Sequence, residues 1–129
     1  MTLAHDATLR NTLVNTVVDA IDAGSANAAG LLRFLEGANS RAEVTLQNPA
    51  FGAAASQAAS LLGVPLDSAA AAATSVALDG FDFQDRDRNL VFNGSIGGTS
   101  SGEDIEMADP TLAVNDIIRV TSFVYNAHA

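Results

Sequence analysis

Phe81-Asp82-Phe83-Gln84, Asp85-Arg86-Asp87-Arg88-Asn89 and Leu90-Val91-Phe92-Asn93-Gly94-Ser95-Ile96 form the continuous stretch that decides the fold. Two short runs rich in aromatic and β-branched residues flank a polar tip, the pattern of an antiparallel hairpin. The first run reads as a strand from Val76 to Gln84 with Gly80 as a bulge, and Leu90 to Ile96 is its partner. Downstream, Thr99 to Gly102 reads as a loop and Ile105 to Met107 as a short edge strand. Asp109-Pro110 and Asn115-Asp116 read as turns. A last strand is expected from Ile117 to Tyr125, with Ile118, Val120, Ser122 and Val124 on one face and Ile117, Arg119, Thr121, Phe123 and Tyr125 on the other. Neither set is wholly polar, so partial cover is expected on both sides.

Upstream of the hairpin, Arg41 to Gln47 alternates. Ala42, Val44 and Leu46 share one face; Arg41, Glu43, Thr45 and Gln47 share the other, as in a half-buried strand. With Leu31 to Glu36 as a partner strand and Gly37-Ala38-Asn39-Ser40 as the turn, residues 31–47 form a second hairpin with a four-residue loop. Residues 6–22 read as an amphipathic helix. Leu9, Leu13, Val17 and Ile21 recur every fourth residue, and Val14 and Val18 widen the stripe. Asp6 or Thr8 can cap its start and Gly24 can stop it, with a small, polar loop from Gly24 to Gly30. Between these signals, Asn48-Pro49, Pro65 and Asp67-Ser68 punctuate two alanine-rich segments, 53–62 and 69–77. Alanine favours helix there, while Thr74, Ser75 and Val76 do not, so helix and strand stay equally open. The expected fold is mostly β, a β-sandwich or barrel of short antiparallel strands with one N-terminal amphipathic helix: a single domain over 1–129, with the helix at 6–22 and the β-rich body at 31–125.

Composition narrows the chemistry. A chain of 129 residues is expected to make one domain and to bury roughly two-thirds of its unfolded surface. There is no Cys and no Lys, which removes thiol catalysis, thiolate zinc sites, disulfides, lysine Schiff bases and the P-loop lysine. The formal net charge is −9, and the six Arg are scattered at 10, 33, 41, 86, 88 and 119. Such a chain repels phosphate and carries no basic patch, so no nucleic acid is expected as a partner. The acidity is read as a solubility device. The first residues lack the basic and apolar regions of a secretory signal. No apolar run approaches the roughly 20 residues of a membrane span, so no membrane partner is expected.

No constellation carries catalysis. Asp85-Arg86-Asp87-Arg88-Asn89 opens like a calcium loop, but the positions that need Gly and a bidentate Glu hold Leu90 and Ile96. It reads instead as a solvated hairpin tip, with Asp79 and Asp82 nearby on the strand surface. Glu103, Asp104, Glu106 and Asp109 read as a solvated acidic loop, without the burial that would split their pKa values into acid and base. His5 and His128 stand at opposite ends, away from any partner at metal-ligand or triad spacing. Gly97-Gly98-Thr99-Ser100-Ser101-Gly102 resembles a phosphate loop in composition only, and Asn93-Gly94-Ser95 is a glycosylation sequon, with no signal read that would direct it to secretion. The expectation is therefore a non-enzymatic protein with no catalytic residues, cofactor or metal. A candidate self-association surface is the helix stripe Leu9, Leu13, Val17 and Ile21, whose simpler role is packing on the domain's own sheet.

Several short motifs occur in a suggestive order. They are Leu9-Arg10-Asn11 leading to Asp19-Ala20-Ile21-Asp22-Ala23-Gly24, Asn48-Pro49-Ala50-Phe51-Gly52-Ala53-Ala54, Val91-Phe92-Asn93-Gly94-Ser95-Ile96-Gly97, Glu103-Asp104-Ile105 and Val114-Asn115-Asp116. In that order the chain resembles a family of small tailed-phage and prophage virion structural proteins over most of its length. It departs at the hairpin tip, where Asp85 to Asn89 replaces a Gly-rich turn, and at Ala72-Ala73-Thr74-Ser75-Val76, where the family has Ala-Thr-Gly-Thr-Ala. The resemblance implies a β-sandwich or barrel with one helix and tips the alanine-rich segments towards strand. It further implies a capsid decoration (cement) protein on the outer surface of the virion, made in the host cytoplasm, a trimer that binds the major capsid protein and bridges its subunits. A tail or head–tail junction protein is the alternative within that class. A host-surface or glycan-binding module is the alternative outside it, disfavoured by the absence of Trp and the single Tyr125.

Overall fold

The computed structural model describes residues 6–126; His5 and His128 lie outside them. Among the described residues one helix, α1 (Ala7–Ala20), precedes nine strands: β1 (Leu31–Glu36), β2 (Asn39–Thr45), β3 (Ala58–Ser60), β4 (Leu66–Asp67), β5 (Gly80–Gln84), β6 (Leu90–Gly98), β7 (Ile105–Met107), β8 (Arg119–Val120) and β9 (Val124–Asn126). The protein is mostly β with one N-terminal helix, and its main sheet curls into a half-barrel.

Asp6 caps the helix by accepting the Thr8 N–H at 3.0 Å. The buried stripe is Val14, Val18 and Ile21, all within 1% of complete burial. Leu9 and Leu13 are exposed and Val17 is half-buried. The fourfold spacing read from sequence misplaced the stripe because each step of four residues rotates about 40° around a helix of 3.6 residues per turn. Three such steps carry Leu9 well away from Ile21. The helix lies against β3 and β9, and Val14, Val18 and Ile21 join the same core cluster as Leu32, Val44 and Phe83 of the main sheet.

The five-stranded sheet runs in the order β2-β1-β5-β6-β7. Both predicted hairpins are present. Gly37-Ala38 makes a tighter turn than the expected four residues, because the ladder continues to Glu36↔Asn39 by stepping over Arg41 as a bulge. In β5 the strand starts at Gly80, not Val76, and the bulge falls at Val91 of β6, where Phe83↔Phe92 is followed by Gln84↔Leu90. The Val76 end is drawn away because the Ser75 and Val76 N–H groups donate to the Glu36 carboxylate.

Cross-strand rows give each face its character. On the inner face Val44, Leu32, Phe83 and Phe92 align, and next to them Ala42, Phe34, Phe81 and Gly94. Gly94 is required by packing: a Cβ there would lie 2.6 Å from the Phe81 ring. On the outer face Glu43, Arg33, Asp82 and Asn93 align. Arg33 grips Asp82 with both ends of its fork, at 2.9 and 2.6 Å, and Asp82 is buried rather than part of the open strand surface expected from sequence.

The alanine-rich segments are not helical: Ala58–Ser60 is strand, and 69–77 is irregular. Their N–H groups have donated elsewhere: Ala54 to the side chain of Asn15, Gln57 to Asn11, Ala69 to the Glu43 carbonyl and Ala72 to the Arg41 carbonyl. A tight turn at Ser56-Gln57, both with positive φ, starts β3. The last strand is broken in two. β8 pairs with β4 and β9 pairs with β3, as separate ribbons. Ile118 and Val120 point inward, Thr121 and Ser122 are both exposed, and then Phe123 and Tyr125 point inward. The pleat slips by one residue at Thr121-Ser122, which is why neither sequence face read as wholly polar. Phe123 stands at the hub of the core, with ring centroids 5.0 Å from Phe83, 5.7 Å from Phe81 and 6.1 Å from Phe51.

Candidate functional site

The half-barrel leaves a seam. One wall is the β6–β7 edge of the main sheet, and the other is the chain from Asp116 to Asn126; between them lies a groove of about 1080 Å³. The second wall is stitched along one side to residues 58–71, through the β3–β9 ladder and through Ala71 N–H to Asp116 O, Ser68 N–H to Ile118 O and Leu61 N–H to Phe123 O. Its other side faces the groove. Opposite, β7 ends the sheet, and β6 has β7 beside it only at Ile96 to Gly98, so the far edge of Leu90 to Ser95 pairs with no described strand. The seam is thus bounded by backbone edges that pair with no described strand, although the Ser95 N–H is taken by Asp104.

Its floor is aromatic and aliphatic. Phe92 is stacked on Phe83 at 4.7 Å and meets Tyr125 at 5.0 Å. Ile105, Met107 and Ile118 complete it, half-buried against the core. The rim is acidic: Asp104, Glu106, Asp109 and Asp116, with Arg119 as the cationic residue of the lining. Arg119 is already held by Asp67 at 2.9 and 3.2 Å, an ion pair that raises its own pKa and lowers that of Asp67.

β7 forms the wall because of a short return loop. It runs parallel to β6, the exception to the antiparallel arrangement expected for the strands. The chain doubles back over Gly97, where a Cβ would lie 2.5 Å from Ser101 Oγ. Glu106 then accepts the N–H groups of Ser100 and Gly102 at 3.1 and 3.0 Å, while Asp104 accepts the N–H and hydroxyl of Ser95 at 3.0 and 3.2 Å. The loop that resembles a phosphate loop therefore closes on the protein's own carboxylate. The acidic run is exposed, as expected of a solvated loop, but its side chains staple the turn.

The hairpin tip is likewise structural. Asp85 accepts the N–H groups of Asp87 and Asn89, both at 2.9 Å. Asp87 accepts those of Ser25 and Ala26, both at 2.9 Å, which pulls its pKa down. Arg86 donates to the Asn27 carbonyl at 2.7 Å and Arg88 to that of Ala29 at 3.0 Å. The tip docks onto the 23–29 loop rather than standing free in solvent, and its carboxylates face backbone amides. Among the described residues, no group of three His, Asp or Glu side chains is gathered as a metal would need.

The predicted self-association stripe is not one surface. Ile21 is fully buried and Val17 half-buried, which leaves Leu9 and Leu13 as an exposed pair one turn apart. Of the groove residues, Asp104, Glu106 and Asp109 were read from sequence as a solvated acidic loop, and the groove itself was not singled out. Its signal was the last strand's two half-apolar faces, together with an expected edge strand at Ile105 to Met107. Comparison of the chain with protein-family models, curated proteins and solved structures finds no match.

Proposed function

We propose that this chain is a structural protein of a tailed-phage particle, a capsid decoration (cement) protein that binds the outer shell as a trimer and bridges major capsid subunits. The observation that carries the proposal is the open seam: an apolar floor between strand edges is a surface for another protein. Asp85, Asp87 and Glu36 hold backbone amides, and Asp82 holds Arg33, so these carboxylates brace the surface that carries the seam. The order of motifs along the chain supports a virion protein, and the net charge of −9 suits an outer surface better than contact with packaged DNA.

The mechanism is mechanical. Each bound copy buries apolar surface across a joint between shell subunits, and a trimer makes three such attachments at once. Avidity then makes loss of the whole unit rare even when single contacts are weak. A cryo-EM map of the particle that carries this protein tests the proposal. Trimeric density on the outer shell is expected. Density confined to the portal–tail axis replaces it with the junction or tail role, and absence from the particle removes the virion role.

A further inference from the structure

We propose that the seam takes up an extended basic segment of the shell partner, added as a strand between β6–β7 and the 116–126 wall. The inference rests on the shell-binding role above and names the occupant of this site. Three features select that occupant. The walls are strand edges, so main-chain hydrogen bonds favour an extended guest. The floor of Phe92, Ile105, Ile118 and Tyr125 lies between those edges, so apolar side chains at alternate positions of the guest would face it. The rim then selects charge. Asp104, Glu106, Asp109 and Asp116 accept hydrogen bonds from backbone amides, which leave the negative charge unneutralised, and Arg119 is already paired with Asp67. Arginines or lysines at the outward positions of the guest supply the missing countercharge.

A second copy of this chain fits less well. It brings the same acids and the same net charge of −9, and pairing two β7 edges would set two copies of Glu106 on one ladder, where like charges destabilise. Nucleic acid meets the same repulsion.

Two synthetic strand-length peptides test this, both with Val at alternate positions, one with Arg and one with Glu between them. Each is titrated into the full-length ¹⁵N-labelled chain. The Arg peptide is expected to shift the amide resonances of residues 90–95, 105–107 and 118–126, more weakly as salt rises, while the Glu peptide shifts none of them. Asp109→Asn with Asp116→Asn keeps oxygen acceptors for the Thr111 and Ala113 amides and removes two charges. Val124→Arg places a cation in the groove at an exposed position that caps no turn. Each variant is expected to weaken the Arg peptide by about tenfold. Equal shifts from both peptides, shifts on another face, or no shifts overturn the inference. Cosedimentation with particles stripped of the protein separates it from the parent proposal. Undiminished shell binding by Val124→Arg overturns the groove as the contact and leaves the shell role standing. Failure of the unaltered chain to bind overturns the shell role, and the peptide shifts still decide the groove.

Discussion

Asn15, half-buried within α1, accepts the backbone N–H of Ala54 through its side-chain oxygen at 2.8 Å. One turn earlier Asn11 accepts the N–H of Gln57 at 2.8 Å. The helix thus holds an alanine-rich segment in non-helical form by satisfying donors that a helix would otherwise have satisfied internally. Asn15→Ala is expected to lower unfolding stability by about 1–2 kcal/mol, because the Ala54 amide is left part-buried and unpaired. Asn15→Asp, which keeps the acceptor, is expected to lose less. Urea denaturation of the variants checks both.

Arg33 and Asp82 sit directly opposite each other on β1 and β5 and pair through both guanidinium arms. The hydrogen bond to Asp82 is the main cause of the raised Arg33 pKa. Asp82→Ala strands the guanidinium on the sheet and is expected to cost about 3 kcal/mol. The double variant Arg33→Met with Asp82→Leu, which removes both charges, is expected to recover most of that loss. A double-mutant cycle in denaturant measures the difference.

Glu36 accepts the Val76 and Ser75 amides and pairs with Arg41, and these contacts lower its pKa. A carboxyl whose folded pKa is depressed stabilises the fold above its unfolded value and loses that contribution as pH falls through the folded one. Tm is therefore expected to drop on acidification below the ordinary glutamate range. Glu36→Gln is expected to lower Tm at neutral pH and to flatten the acid limb, read by thermal melts across pH.

Asp22 behaves in the opposite sense. Burial raises its pKa, the Ala50 amide partly offsets this, and Asp19 adds repulsion. A raised folded pKa means that the folded state holds the proton more tightly, so the ionised carboxylate is a net cost above that pKa. Asp22→Asn keeps an oxygen for the Ala50 N–H at 2.9 Å and removes the charge. It is expected to raise Tm at neutral pH and to make no gain in acid, where Asp22 is already protonated.

Ser56 and Gln57 occupy a tight turn with φ of 52° and 61°, a conformation that Asn and Gly adopt more readily. Ser56→Asn with Gln57→Gly is expected to stabilise the protein by about 1 kcal/mol, and Gln57→Val to destabilise it by a similar amount. Chemical denaturation distinguishes the two signs.

Elements whose pattern closes locally were legible. Along 41–47, Ala42, Val44 and Leu46 are buried and Glu43, Thr45 and Gln47 exposed, as the alternation required. Both hairpins and the short strand at Ile105 to Met107 were also readable, since each follows from period-2 patterning and turn residues. The parallel course of β7 was not, because it depends on a loop crossing above Gly97 and on Glu106 reaching back to Ser100 and Gly102. The groove was half legible: the two-sided apolar character of residues 117–125 was visible, but not the slip at Thr121-Ser122 that turns Phe123 and Tyr125 into its floor.

The sequence by itself determined the N-terminal helix, the alternating strand at 41–47, and that composition excludes thiol and lysine chemistry. A helix satisfies its backbone within one segment, and an alternating strand announces its buried face, so both are written in local order. Only the tertiary structure decided the state of the alanine-rich segments, the split of the last strand and the opening of the seam. Extended backbone must find its hydrogen-bond partners outside itself, and those partners (Asn11, Asn15, Glu36 and the carbonyls of distant strands) are named by the fold rather than by their neighbours in the chain.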